Sequence, residues 1–230
     1  MLQELDKDIR GEVSKILATS YLRYKKRKTY RVISRIFDII LASFVLIFTF
    51  PIMGFISISI FLSNGGPVIF RQKRIGKNGI PFTIYKFRTM RKDAEIILKE
   101  DKELYRKYID NDYKLPPNED PRLVKFGSFL RKSSLDELPQ VFNIFKGDMS
   151  HVGPRPIVLD ELERYAGHER EFLSVKPGMT GLWQVSGRSD IEYPQRKFLD
   201  LLYVKNQSLF LDFKILFKTA FIVLSRSGAH

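Results

Sequence analysis

The chain contains no cysteine, a single tryptophan and three histidines among its 230 residues. Without cysteine there is no disulfide framework and no thiolate metal site, and a reducing compartment is compatible with that absence. His151, His168 and His230 are too few and too scattered to suggest a histidine-rich zinc centre. Acidic residues are also in deficit, 26 Asp+Glu against 39 Lys+Arg, for a formal net charge of +13. An excess of this size fits a nucleic acid, an anionic membrane surface or a polyphosphate ligand, and its bland explanation is solubility. Hydrophobic residues make up 44% of the chain, enough to build the core of one medium-sized domain. There is no internal repeat and no low-complexity tract.

One long apolar run stands out. From Ile36 to Leu62 the only charge is Asp38. A bilayer span takes about 20 apolar residues, so the run is long enough. A basic segment, residues 1–35, precedes it and no small-residue cleavage site follows, so a secretory signal is not expected. Pro51 lacks an N–H and clashes with the preceding turn, and should kink or break a helix there. Both flanks are basic: Arg23, Lys25, Lys26, Arg27, Lys28, Arg31 and Arg35 before, then Arg71, Lys73, Arg74, Lys77, Lys86, Arg88 and Arg91 after. The positive-inside rule favours the cytoplasmic side for both. Residues 36–62 are therefore expected to form a re-entrant membrane helix, a hairpin that enters, breaks at Pro51 and returns. A tilted span with a tolerated kink stays open as the alternative.

Residues 63–230 are expected to fold on the membrane surface as an α+β, mostly helical domain. Val68–Phe70 and Phe82–Phe87 read as strands around a turn at Gly76–Gly79, a short antiparallel β-hairpin. Ala94–Ile109 is helical in pattern, and 111–120, with Pro116-Pro117, reads as a loop. Together they make a charged insert at about 92–120. Asp110-Asn111-Asp112 has the form of a DxD metal motif, but it sits on a charged helix end and is read as solvated. Residues 198–205 and 210–218 mix large apolar side chains with lysines. They suit amphipathic interfacial helices, and core-facing helices equally.

The chemistry is concentrated at Ser134–Gln140, Lys146–Ser150 and Gly153–Pro156. Ser134-x-x-Glu137 has the form of a capping box. Leu138, Val141, Phe142 and Phe145 give an apolar helix face that Gly147 should stop, with Pro139 in the first turn. Capping accounts for Ser134 and Glu137 but not for the adjacent Asp136 or for the nearby Arg131 and Arg155. Paired carboxylates at a helix start, with arginines close by, suit phosphoryl chemistry. Between Lys176 and Arg188, three glycines and a proline allow backbone N–H groups to approach an anion. Trp183, Gln184 and Arg188 offer a stacking ring and polar contacts; a turn-rich segment with a buried tryptophan is the plainer reading.

These blocks together resemble the bacterial sugar transferase family, the monotopic phosphoglycosyl transferases. The resemblance is carried by Arg35–Asp38, Phe70–Gly76, Tyr85–Met90, Leu135–Gln140, Phe142–Ser150, Gly153–Pro156 and Lys176–Arg188, and runs from about Tyr30 onward. It implies a short form of the family and a leaflet-dipping, proline-broken hairpin. Where the family often has Ser-Pro at the break, this chain has Phe50-Pro51.

The resemblance also implies the reaction. A sugar-1-phosphate passes from a UDP-sugar to undecaprenyl phosphate with release of UMP, through a phosphosugar-aspartate, at the start of capsule, exopolysaccharide or O-antigen synthesis. The expected setting is the cytoplasmic face of a bacterial inner membrane. Asp136 is then the expected nucleophile and Glu137 the ligand of a Mg²⁺ ion, which suits a diphosphate better than zinc would. Arg155, Arg131, Lys86 and Arg88 are expected on phosphate oxygens, and Gln184 and Arg188 at the nucleotide-sugar end. Asp148 is read as a turn residue. A homodimer is plausible and nucleic acid is not an expected partner. Two competing readings are a membrane-anchored basic adaptor without activity and an aspartate-dependent membrane phosphatase.

Overall fold

The computed structural model describes residues 28–110, 115, 119–124, 126–187 and 191–225. Arg188 and most of Asp110-Asn111-Asp112 lie outside the described residues.

Helix α1 (Lys28–Asn64) runs unbroken through Pro51, starting earlier than the apolar run and ending just after it. The expected break is not an end to the helix. Tertiary packing holds both sides of the proline: Leu46 before it and Met53, Ile56 and Ile60 after it join one cluster with Phe87 and Leu130. Thr49 donates Oγ1 to the Val45 carbonyl at 2.7 Å, one turn before the proline. The most apolar 18 residues of α1 have mean hydropathy 2.5, yet only 17% of them are buried, unlike the core helix of a soluble domain. Ile40, Phe44, Ile47, Phe48, Phe50, Phe55, Phe61 and Leu62 all face outward.

Each end of α1 is tied to the rest of the protein. Arg35 donates to the carbonyls of Ile144 and Phe145 at 2.6 and 2.7 Å, in the last turn of a later helix, where a cation also suits the helix dipole. Buried Asp38 accepts from Ser150 Oγ and the His151 N–H, both at 3.0 Å. At the far end, Asn64 Nδ2 donates to the Met90 carbonyl at 3.4 Å.

The expected hairpin is present as β1 (Ile69–Ile75) and β2 (Pro81–Phe87), antiparallel, with Phe70 opposite Lys86 and Arg74 opposite Phe82. Strand β1 extends beyond Phe70 through a basic run. The expected insert helix is two, α2 (Ala94–Glu100) and α3 (Lys102–Asp110). Asp101 separates them, because its Oδ1 accepts the Glu103 and Leu104 N–H groups at 3.0 and 2.9 Å and starts a new helix.

Then follow α4 (Gly127–Lys132) and α5 (Gln140–Lys146), stopped by Gly147 at φ 98° as expected. A second, parallel sheet pairs β3 (Ser150–Val152) with β4 (Gly178–Thr180). Short helices α6 (Glu169–Phe172) and α7 (Leu182–Ser186) precede α8 (Gln195–Asn206) and α9 (Leu209–Ser225). Helix α8 buries Asp200, Leu201 and Tyr203, so it faces the core. Helix α9 divides its faces: Ile215 is buried, while Phe210, Phe213, Phe217 and Phe221 are exposed. Phe213 meets Phe37 of α1 edge-on at 5.0 Å, which joins the exposed apolar faces of the two helices.

Candidate active site

Asp136 and Glu137 sit in a single 3₁₀ turn, Leu135–Glu137, between α4 and α5. The capping box is not formed. Ser134 has a left-handed backbone, φ 57°, and its side chain caps nothing. A capping serine needs an extended backbone, so the turn is fixed otherwise. Leu135 and Leu138 pack into the cluster around Leu130 and Phe87, and Pro139 leads into α5. With both leucines held inward, the carboxylates between them are left on the other side. A serine at positive φ costs on the order of 1 kcal/mol, strain of a kind that gathers at functional sites.

Lys86 Nζ lies 2.6 Å from Glu137 Oε1, both side chains less than a third exposed. Burial alone would raise the Glu137 carboxyl, but Lys86, Arg155 and a hydrogen bond from Gln140 outweigh it and hold the group below the usual range. Asp136 goes the other way. Burial and then the Glu137 charge push its carboxyl up to about 6, against the opposing pull of Lys86 and Arg131. Two neighbouring carboxylates are thus split, one firmly ionised and one poised near neutrality, a difference characteristic of catalytic groups.

Arg131 donates Nε to Thr89 Oγ1 at 3.0 Å and faces Asp136. Burial lowers its pKa and Asp136 restores part of the loss. Arg155 acts on Glu137, and so does Arg74, a residue not singled out from the sequence. Arg74 donates to Gln72 Oε1 at 2.6 Å and to the Pro156 carbonyl at 3.3 Å, so it anchors the Gly-Pro-Arg-Pro segment beside the carboxylates.

Of the expected residues, Asp136, Glu137, Lys86, Arg131 and Arg155 come together. Arg88 points instead into a groove along β1. Gln184 has a buried Oε1 with no hydrogen-bond partner, on α7. Trp183 is buried and covered by the Arg196 guanidinium, 3.8 Å from its ring centre, so it is not an open stacking surface.

Two positioning elements act through partners that the sequence does not identify. Asn143 is wholly buried. It accepts the Tyr85 N–H at 3.1 Å and donates to Thr83 O at 2.7 Å and to Asp148 Oδ2 at 3.3 Å. It thereby bolts α5 to β2, one residue from Lys86; the apolar face expected at Leu138, Val141, Phe142 and Phe145 is turned, with Val141, Asn143 and Ile144 buried and Phe142 and Phe145 exposed. The second is the β3–β4 junction, where Gly153 N–H bonds Thr180 O at 2.9 Å and Gly178 N–H bonds Pro154 O at 2.8 Å. A Cβ on Gly178 would fall 2.1 Å from Gly153 N, so only glycine lets the two segments meet. Behind the junction, Asp200 accepts from Tyr165 at 2.7 Å, and burial raises its carboxyl to about 7 against Tyr165, Arg196 and Arg155.

Among the described residues no three His, Asp or Glu side chains gather into a ready-made metal site. The donor set is two adjacent carboxylates, one already paired with Lys86. That fits an ion such as Mg²⁺, which uses one or two carboxylates and takes the rest of its shell from substrate phosphates and water.

Residues 29–226 match the family described as bacterial sugar transferase. The undecaprenyl-phosphate galactose phosphotransferase of Salmonella typhimurium is 47% identical over 207 residues, covering 89% of this chain and 43% of that protein. The exopolysaccharide production protein ExoY of Rhizobium meliloti is 43% identical over 200 residues, 85% of this chain and 87% of ExoY. The UDP-glucose:undecaprenyl-phosphate glucose-1-phosphate transferase of Klebsiella pneumoniae is 38% identical over 200 residues, 83% of this chain and 40% of that protein. The chain thus matches less than half the length of two of these relatives and most of the third.

Proposed function

Because this chain belongs to the bacterial sugar transferase family, we propose that it moves a sugar-1-phosphate from a UDP-sugar to undecaprenyl phosphate. The observation that carries the reading is the split pair: Asp136 near neutrality beside an ionised Glu137, ringed by Lys86, Arg131, Arg155 and Arg74. An Asp136 oxygen attacks the β-phosphorus, the bond to the bridging oxygen breaks, and UMP leaves with the electron pair. An oxygen of the lipid phosphate then attacks the same phosphorus. The acyl-phosphate bond breaks and the Asp136 carboxylate is restored.

Both displacements bring anions together, so the surrounding cations supply much of the stabilisation. A nucleophile must be ionised, and a carboxyl at about 6 is largely so at neutral pH while staying more basic than a surface aspartate. Glu137, with Asp136, would hold a Mg²⁺ ion carried in on the diphosphate. The ion supplies charge neutralisation there.

The proposed membrane arrangement draws its support from α1. Arg35 and Asp38 near one end and Asn64 at the other all bond the same body. A helix crossing the bilayer would put its ends in different compartments. Both ends on one body, with an apolar middle around Pro51, support a segment that dips into one leaflet from the cytoplasmic face.

The test is release of UMP by the purified chain with Mg²⁺ and undecaprenyl phosphate over a panel of UDP-sugars. Release with at least one sugar, lost in Asp136→Asn, is expected. Full activity in that variant would exclude the covalent path.

A further inference from the structure

We propose that the groove along β1 receives the phosphate head of the lipid acceptor, held by Arg88 and Arg71 apart from the cations that hold the donor; this rests on the transferase reading above. The groove has a volume of about 570 Å³ and is lined by Pro67, Val68, Ile69, Phe70, Arg71 and Arg88. Arg88 Nη1 is buried with no hydrogen-bond partner. A guanidinium nitrogen left unpaired in that way is costly, and an anion relieves it.

Position argues for the acceptor. Arg88 follows Lys86 by two residues, just past the end of β2, and lines the groove together with Arg71. Phe70 stands opposite Lys86 on the neighbouring strand, and Arg88 N–H bonds the Val68 carbonyl at 2.8 Å. The groove is therefore next to the carboxylates without being formed by them. Lys86 is already committed to Glu137 and Arg131 faces Asp136. A phosphate monoester arriving after the first displacement brings up to two further negative charges, which Arg88 and exposed Arg71 can meet.

Composition argues for a lipid. The other four lining residues are apolar. The groove follows directly on the end of α1, where Phe61 and Leu62 are exposed and the Phe61 ring lies against Gly66. A phosphate in the groove can thus continue into an apolar tail along the membrane helix. A free nucleotide would gain nothing from that wall.

The experiment compares the full chain with Arg88→Gln and Arg71→Gln in nanodiscs, the second being an exposed position that leaves folding intact if the first does not. Two reactions are read: UMP release as undecaprenyl phosphate is varied, and exchange of labelled UMP into UDP-sugar without acceptor. The expected result is a KM for undecaprenyl phosphate raised about tenfold in Arg88→Gln and about threefold in Arg71→Gln, with exchange changed less than twofold. An unchanged acceptor KM, or exchange falling in parallel, overturns the assignment. So does an effect that disappears in discs without anionic phospholipid, since the groove would then hold bulk lipid headgroups. A wild-type chain releasing no UMP would instead remove the transferase reading itself.

Discussion

Lys86 Nζ and Glu137 Oε1 stand 2.6 Å apart, joining the end of a β-hairpin to the turn that carries the two carboxylates. The pair keeps Glu137 ionised, and the Glu137 charge in turn raises Asp136. Lys86 therefore acts on the expected nucleophile both directly and through its neighbour.

Replacing Lys86 by Met should lower kcat/KM by at least 100-fold. It removes the cation beside both carboxylates and leaves Glu137 part-buried without its partner. Loss of one member of a fully buried pair costs about 3–5 kcal/mol, and the remaining exposure of both groups brings the stability cost down to about 1–2 kcal/mol. Steady-state kinetics and thermal unfolding in detergent measure the two effects separately, and activity should suffer far more than stability.

The first half-reaction should depend on pH through Asp136. Its carboxyl is raised to about 6, so the ionised nucleophile accumulates as pH rises through that value. UMP exchange should climb from pH 5 to 7 and then level off. The stability sign is opposite. A raised carboxyl favours the folded state while protonated, and that advantage is lost as pH rises through the folded value of about 6. Asp136→Asn, which never ionises there, should be more stable than the parent at pH 8 by about 1–2 kcal/mol while releasing no UMP. Melting curves at pH 5 and pH 8 test this, since the gap should shrink at the lower pH.

The glycines at the β3–β4 junction predict a contrast within one residue type. Gly178→Ala would drive a Cβ to 2.1 Å from the Gly153 nitrogen and to 2.5 Å from the Thr180 carbonyl oxygen, both rigid backbone. It should cost about 3 kcal/mol or more and displace Arg155, with loss of activity. Gly54, inside α1, has nothing within 4 Å of where a methyl group would stand, so Gly54→Ala should be neutral or stabilising by up to about 1 kcal/mol. Expression level and unfolding temperature of the two variants distinguish them.

Much of this site is legible in the chain itself, because adjacent carboxylates, a proline-bounded helix start and a glycine stop are local signals. The hairpin is legible for the same reason, although the basic residues Arg71, Lys73 and Arg74 hide how far β1 extends. The capping box misleads: its residue pattern is met, but capping depends on the backbone of Ser134, which φ 57° makes left-handed. The parallel β3–β4 pair gives no periodic signal, since each strand has three residues and the partners are distant in sequence. Arg74 and Asn143 act through carbonyls of remote segments, Pro156 and Thr83, and only the folded chain identifies those partners.

The two ends of α1 give the sharpest test of how the protein sits in a membrane. Arg35 and Asp38 bind the end of α5 and the start of β3, and Asn64 binds Met90, so both ends share one body. The chain has no cysteine, and single cysteines can be introduced without a background. Thr29→Cys and Ser63→Cys place thiols at exposed positions near the two ends. In membrane vesicles of known orientation, a membrane-impermeant maleimide should label both from the cytoplasmic face and neither from the other. A spanning helix would give one site on each face. Asp38→Ala should loosen the same arrangement, leaving the Ser150 hydroxyl and the His151 N–H without their acceptor at a cost of about 2–4 kcal/mol. Faster limited proteolysis between α1 and the rest of the chain would report that loss, and unchanged proteolysis would show that the apolar packing of Met53, Ile56 and Ile60 suffices to hold the helix in place.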